Sequence, residues 1–319
     1  MRTAQITRFG DWRAVQVAET TVPAAAAGEV LVRVSASSLN AVDAAHRAGQ
    51  LAVLTGRRLP QGLGIDVVGT VDGVGADVRG LEVGDRVWGI RAGAFSMKSA
   101  RGMTAEYAAV DARQVARAPE SLDDVQAAAL VVGGYTSLRA LRDVARVQPG
   151  ERVLVRGGTG GVGSAAVQIA AALGGRVAVL ASARGEELAR SLGAHEFFDY
   201  ATTAPASVGS ADVILDTVGT DLLAWRRVLS PGGRMVSVAF DSLAGLVTIA
   251  ASSVFGRGRI RTFAGEPPAG YLNGLTSFVD THSIRALVHE TFPLERVQDA
   301  HRAFTAPGLR GKIVVTTAP

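Results

Sequence analysis

Gly158-Thr159-Gly160-Gly161-Val162-Gly163 stands directly after the apolar run Arg152-Val153-Leu154-Val155-Arg156 and directly before a helical stretch over 162–173. In a strand–loop–helix unit each glycine of Gly158-x-Gly160-x-x-Gly163 has its own task. The first permits the tight turn, the second lets the backbone approach a pyrophosphate, and the third lets the helix pack closely on the strand. The helix start then offers unpaired N–H groups and the positive end of its dipole to the phosphates. A further apolar run over 176–181 completes the strand–helix–strand unit that separates this motif from an ordinary glycine-rich turn. The stretch therefore predicts a dinucleotide site built by Gly158, Thr159, Gly160, Gly161, Val162 and Gly163.

The choice of dinucleotide is read at the end of the second strand. An acidic residue about 20 residues beyond the loop would take the adenosine ribose hydroxyls and repel a phosphate. This chain has Ala181-Ser182-Ala183-Arg184 there, and its nearest acids, Glu186 and Glu187, fall inside the next helix. Ser182 can donate a hydrogen bond and Arg184 a charge-assisted pair to a 2′-phosphate. The expected cofactor is NADPH; the plainer alternative leaves Arg184 as a solvated surface residue.

Downstream, apolar strands and helices keep alternating: strands over 196–200, 212–216 and 234–239, helices over 186–192 and 221–229, and a turn at Pro231-Gly232-Gly233. This pattern predicts a doubly wound parallel sheet covered on both faces, an α/β Rossmann domain. Upstream, Ser121 is a cap for a helix over 122–130, and a second helix is expected over 137–144. Before residue 120 the chain reads as short strands with glycine turns, such as 30–34, 66–71 and 85–89, which predicts a β-barrel. After about residue 264 strand character returns over 284–291 and 312–316, with a helix over 294–304 between them. The expected domains are therefore 1–120 with 264–319 for the barrel, which takes the substrate, and 121–263 for the nucleotide fold.

The 319 residues are 48% apolar and carry a net charge of +4, consistent with a packed globule. The arginines are dispersed, so nucleic acid is not expected as the main partner. There is no cysteine, which excludes disulfides and every thiolate chemistry. The N-terminal residues alternate like a strand and no apolar run approaches the roughly 20 residues of a membrane span, so the expected location is cytoplasmic.

Eight short signatures, in order, resemble one family. They are Asn40-Ala41-Val42-Asp43 with Arg47 and Gly49, Gly64-Ile65-Asp66-Val67-Val68-Gly69, Val83-Gly84-Asp85-Arg86-Val87, Ala105-Glu106-Tyr107, Gly134-Tyr135-Thr136, the phosphate loop, Asp216-Thr217-Val218-Gly219 and Arg310-Gly311-Lys312-Ile313-Val314. The chain resembles the zinc-independent quinone oxidoreductases of the medium-chain dehydrogenase/reductase superfamily over essentially its whole length. The resemblance implies a GroES-like β-barrel domain beside the Rossmann domain. It implies Tyr200 as a further 2′-phosphate contact, and Thr217, Val218, Gly219, Val238, Ala239 and Phe240 along the dinucleotide. It places Thr136 and Asn40 near the nicotinamide, and implies a homodimer formed through the edge residues 259–263.

Zinc-dependent relatives carry Gly-His-Glu where this chain has Gly64-Ile65-Asp66, and isoleucine cannot ligate, so no metal is expected. Without a Lewis acid the favoured acceptor is already polarised, a quinone or an α,β-unsaturated carbonyl that takes hydride at a conjugated position. Asn40, Arg47 and Thr136 are the candidate catalytic residues, the first two as donors to the acceptor oxygen. Asp43 either holds Arg47 or caps a short helix. Many relatives carry a tyrosine two residues after that aspartate; here the position is Ala45, and the adjacent His46 is expected at the surface. Two alternatives stand beside the quinone or enone reductase: a pathway-specific enoyl reductase or non-redox enzyme on the same fold, and a non-catalytic NADPH-binding protein.

Overall fold

Residues 29–38 form a ten-residue strand with Val30, Val32, Val34 and Ala36 turned inward. This is seen in a computed structural model that describes residues 1–91, 101–239, 248–249, 252, 258–263 and 266–317. In chain order the strands are β1 (Arg2–Ile6), β2 (Val15–Glu19), β3 (Glu29–Ser38), β4 (Gln61–Gly62), β5 (Asp66–Val74), β6 (Arg86–Ile90), β7 (Tyr107–Asp111) and β8 (Val115–Arg117). They continue with β9 (Arg152–Arg156), β10 (Arg176–Ala181), β11 (Glu196–Asp199), β12 (Ala211–Asp216), β13 (Leu229–Ser237), β14 (Ile260–Arg261), β15 (Val288–Pro293) and β16 (Lys312–Thr316). The helices are α1 (Ala41–Arg47), α2 (Ala52–Thr55), α3 (Asp124–Leu138), α4 (Gly163–Ala172), α5 (Glu186–Ser191), α6 (Leu222–Arg226), α7 (Tyr271–His282) and α8 (Val297–Phe304). Among the described residues no helix is long and apolar enough to cross a membrane.

The chain forms two compact units, Met1–Val132 with Gly265–Pro319, and Gly133–Ala264. In the first, one sheet runs β15-β16-β3-β5-β6-β8 with β7 also paired to β3, and a smaller sheet runs β2-β1-β4. Among the described residues of this unit only β15 and β16 pair in parallel. Val32, Val67, Val71 and Val87 fill one core, and Ile6, Leu63, Leu294 and Ile313 another.

The second unit is one parallel sheet in the order β11-β10-β9-β12-β13-β14. Renumbered within the sheet, that is the 3-2-1-4-5-6 order of a dinucleotide fold, with its topological switch between β9 and β12. The central strands are apolar on both faces, and Val153, Leu154, Val155 and Ile214 are fully buried.

The structure corrects four expectations. The two helices expected over 122–130 and 137–144 are one continuous helix, α3, prolonged by a π-helical stretch at Arg139–Ala145. The pair Gly133-Gly134 does not break it; a side chain at Gly133 would come within 2.6 Å of the Gly161 carbonyl oxygen, so the glycine is there for close packing. Its cap is Asp123, which accepts from the Gln126 N–H at 2.7 Å, while the Ser121 hydroxyl donates to Asp280 instead. Pro231-Gly232-Gly233 lies inside β13 as an irregularity, where pairing with β12 jumps from Leu229 to Arg234. Finally, α7 went unread, and the strand expected over 284–291 starts later, as β15.

Candidate functional site

Parallel strands deliver their C-terminal ends, and the loops that follow them, to one edge of the sheet. At the centre of that edge, β9 passes through the phosphate loop into α4. A Cβ at Gly163 would lie 2.0 Å from the Gly157 carbonyl oxygen, and one at Gly158 would lie 2.6 Å from the Val179 Cγ1. These two glycines are therefore required by packing. At Gly160 a Cβ would meet nothing nearer than the Gly157 carbonyl oxygen at 3.4 Å, so the space above it is open. Among the described residues the N–H groups of Gly161, Val162 and Gly163 take no hydrogen bond. An open glycine beside unpaired N–H groups at the start of a ten-residue helix fits a pyrophosphate.

The neighbouring loops close around this cradle. Gly185 lies so near Thr159 that a Cβ would come within 2.7 Å of its methyl carbon, which brings the Ser182–Arg184 turn against the phosphate loop. Ser182, half-buried, closes that turn by accepting the Gly185 N–H on its carbonyl at 2.7 Å, and Arg184 is exposed beside it. Tyr200 is 63% exposed and is held at the same edge by its N–H bond to the Ala181 carbonyl. On the other side, a Cβ at Gly157 would lie 2.4 Å from the Thr217 hydroxyl and 3.2 Å from Val218. The Val238 N–H donates to the Asp216 carbonyl, and the Ser237 hydroxyl oxygen lies 2.7 Å from the carbonyl oxygen of Ala239, so Val238 and Ala239 join Thr217, Val218 and Gly219. Thr136, half-buried, shares a turn of α3 with Gly133 and with Ser137, whose hydroxyl donates to the Val162 carbonyl. Phe240 lies outside the described residues.

Sequence reasoning missed the ion pair at the switch point. Arg156 ends β9 and Asp216 ends β12, and their Nη1 and Oδ1 atoms are 2.6 Å apart with both side chains buried. The guanidinium also donates to the carbonyl and hydroxyl of Thr220 and lies 4.5 Å from the centre of the Trp225 ring. Asp216 accepts from the N–H groups of Val218 and Gly219 and from the Ser237 hydroxyl. Burial pushes the Asp216 carboxyl up, and the Arg156 charge opposes that shift. The pair pins the 216–220 loop. Its signal was a charged residue closing each of two apolar runs, Val153–Val155 in β9 and Val213–Leu215 in β12.

In the first unit Asn40 is fully committed to protein partners, whereas Arg47 is buried with one nitrogen engaged and its Nε without a partner among the described residues. Asn40 donates to the Asp66 carboxylate at 2.8 Å and to the Ser38 carbonyl at 3.1 Å, and its Oδ1 accepts from Lys312 Nζ at 2.6 Å. Both amide hydrogens are used, so Asn40 bridges a buried lysine and a buried aspartate and has none left for an acceptor. Arg47 is buried, with its Nη1 2.9 Å from His301 Nδ1, and does not reach a surface. Asp43 caps α1 through the Asn40 N–H and takes the Gly64 N–H on its other oxygen, which favours the capping alternative. Burial, and then the charge of Asp66, raise its carboxyl to about 6. His46, expected at the surface, is buried 2.6 Å from Gln61 Oε1, and burial lowers its imidazole pKa. Ala45 is half-buried.

The donor set at the Gly64-Ile65-Asp66 turn does not suit zinc. Ile65 has no ligating atom, there is no thiolate in the chain, and Asp66 already accepts from Ser37, Ser38 and Asn40. Among the described residues no three His, Cys, Asp or Glu groups converge.

Comparison with known proteins matches residues 26–120 to the alcohol dehydrogenase GroES-like domain and residues 192–315 to the zinc-binding dehydrogenase family. Quinone oxidoreductase of Rattus norvegicus is 31% identical over 337 residues, spanning 99% of this chain and 97% of the relative. A mycocerosic acid synthase-like polyketide synthase of Mycobacterium tuberculosis is 35% identical over 243 residues, 73% of this chain but 11% of that much longer protein. The structure of the quinone oxidoreductase from Coxiella burnetii superposes with a TM-score of 0.89 at 29% identity, covering 100% of this chain and 99% of that one.

Proposed function

Because the chain belongs to the medium-chain dehydrogenase/reductase superfamily of oxidoreductases, on its quinone oxidoreductase-like branch, we propose that it is a zinc-independent NADPH-dependent reductase of quinones or α,β-unsaturated carbonyls. The observation that carries this reading is the loop around Gly160, open above the glycine and flanked by a serine and an arginine where an NADH site would carry an acid. Gly158–Gly163 hold the pyrophosphate, and Ser182, Arg184 and Tyr200 take the 2′-phosphate. Thr217, Val218, Gly219, Val238 and Ala239 lie along the dinucleotide, and Thr136 orients its carboxamide. When bound, the reduced nicotinamide supplies hydride. Arg156 and Asp216 act as positioning residues by holding the 216–220 loop in register with the phosphate loop. We further propose a homodimer through β14, the edge strand of the second sheet.

Fluorescence titration with NADPH and NADH tests the cofactor, followed by NADPH oxidation with 1,4-naphthoquinone and methyl vinyl ketone as acceptors. Preference for NADPH is expected, and Arg184→Ala should cut it roughly tenfold through NADPH affinity alone, the value of one charge-assisted contact. Equal affinity of Arg184→Ala and the wild type for both nucleotides would remove Arg184 from the site. The likeness to part of a polyketide synthase favours a second reading, a dedicated enoyl reductase. An enoyl thioester reduced far faster than any quinone would select it.

A further inference from the structure

From Gly133 onward α3 lies within the second unit, where it rests against the phosphate loop. A Cβ at Gly133 would come within 2.6 Å of the Gly161 carbonyl oxygen, and the Ser137 hydroxyl donates to the Val162 carbonyl at 3.0 Å. These two carbonyls share planar peptide units with the N–H groups of Val162 and Gly163. In a trans unit the C=O and the N–H point opposite ways, so α3 sets the aim of two of the donors offered to a pyrophosphate.

The far end of the helix is held in a costly shape. The π-helical stretch Arg139–Ala145 is followed by Arg146 in the left-handed region, at φ 55° and ψ 56°. Neither geometry is favoured for ordinary residues, and both persist only where surrounding contacts over-determine them. Two strands of the parallel sheet supply those contacts. Arg234 of β13 donates through Nε to the Ala145 carbonyl and through Nη2 to the Arg146 carbonyl at 2.8 Å. Arg261 of β14 donates to the Val144 carbonyl at 2.7 Å. Three successive carbonyls, those of Val144, Ala145 and Arg146, are thus tethered to the sheet. Arg234 stands where the irregular part of β13 ends and pairing with β12 resumes, and Glu151 orients its guanidinium through contacts at 2.5 and 2.7 Å.

We propose that Arg234 is a positioning residue for the dinucleotide, acting through the strained end of α3. Without its two carbonyl contacts the π-helical stretch relaxes and the helix shifts. Gly133 and Ser137 carry that shift to the Gly161 and Val162 carbonyls, and the N–H groups beyond them lose their aim. This rests on the dinucleotide reading above. The printed hydrogen bonds of the Arg234 side chain go to residues 145, 146 and 151, none of which belongs to the phosphate loop.

The test is isothermal titration of the full chain with NADPH and with NADH. Arg234→Ala should weaken both roughly tenfold, within the range for a change felt through intervening contacts, and leave their ratio unchanged because both carry the pyrophosphate. Arg234→Lys keeps the charge beside Glu151 but loses the forked reach to two carbonyls; it should lose roughly threefold, and it carries the test if Arg234→Ala does not fold. Glu151→Gln removes the ion pair and spares the carbonyl contacts, so its urea midpoint should fall while its NADPH affinity stays that of the wild type. Ser137→Ala cuts the link at the loop, so adding Arg234→Ala to it should cost less than about twofold more. Wild-type affinity in Arg234→Ala or Arg234→Lys, an equal loss in Glu151→Gln, or additive losses with Ser137→Ala would overturn the assignment while leaving the dinucleotide site in place. A wild type that binds neither nucleotide overturns the dinucleotide reading, and this assignment with it.

Discussion

Gly160→Val should lose NADPH affinity by roughly 100-fold or more, about 3 kcal/mol, while the urea midpoint of the protein stays within error of the wild type. The reason lies in the contrast between two glycines of one loop. Gly160 has open space where a side chain would go, with only the Gly157 carbonyl oxygen at 3.4 Å, and its backbone is not in the left-handed region. A valine there is tolerated by the fold but fills the volume through which a pyrophosphate approaches the N–H groups of Gly161, Val162 and Gly163. Gly163→Ala should do the opposite. Its Cβ would be driven to 2.0 Å from the Gly157 carbonyl oxygen and 2.8 Å from the Gly158 Cα, so α4 must move off β9, at about 1–3 kcal/mol of stability. Isothermal titration with NADPH and urea unfolding on the two variants separate the effects. If Gly160→Val binds NADPH as tightly as the wild type, the cradle is not a phosphate site.

That division of labour among the glycines follows from their spacing, which is why the nucleotide half of the chain is legible. Strand β9, helix α4 and strand β10 repeat a local pattern in which apolar runs and glycines fall at fixed distances, and local spacing is what a sequence displays. The family resemblance extends this to the barrel and to Thr217–Gly219 on the far side of the switch point. What stays hidden depends on contacts distant in sequence. The Arg156–Asp216 pair joins residues 60 positions apart, and Arg156 by itself is one more arginine in an arginine-rich chain. Asn40 is read from its motif as a free donor, because nothing near it in sequence reveals that Lys312, 272 residues away, already occupies its amide oxygen. His46 is misread as a surface residue for the same reason; its partner Gln61 belongs to another segment. The helix α7 shows a different failure. Leu272, Leu275 and Val279 carry a helical spacing on one face, but the reading of residues after 264 as strand-forming overrode it.

The network under Asn40 carries the second large effect: Lys312→Met should destabilise the protein by about 3–5 kcal/mol at pH 7.5, the range for removing one partner of a buried ion cluster. Lys312 is buried and donates to the Leu39 carbonyl and to Asn40, and Asn40 passes the contact to Asp66, which is 0% exposed. Burial lowers the Lys312 pKa, while Asp66 and Asp43 raise it, so the three charges hold one another in place. Methionine keeps the length of the side chain and deletes the cation, leaving two buried carboxylates facing each other. The loss should depend on pH with a definite sign. Asp43 sits at about 6 in the folded chain against an ordinary 3.8, so the fold favours its protonated form. Such a group adds stability below about pH 4 and loses it as pH rises through 6. Without Lys312 the folded value of Asp43 climbs further, so the penalty is greatest near neutrality and shrinks as the acid takes up its proton. Urea midpoints of wild type and Lys312→Met at pH 7.5 and pH 5 read this directly. A deficit that is the same at both values, or larger at pH 5, would show that the lysine acts by packing alone and that the buried carboxylates do not need its charge.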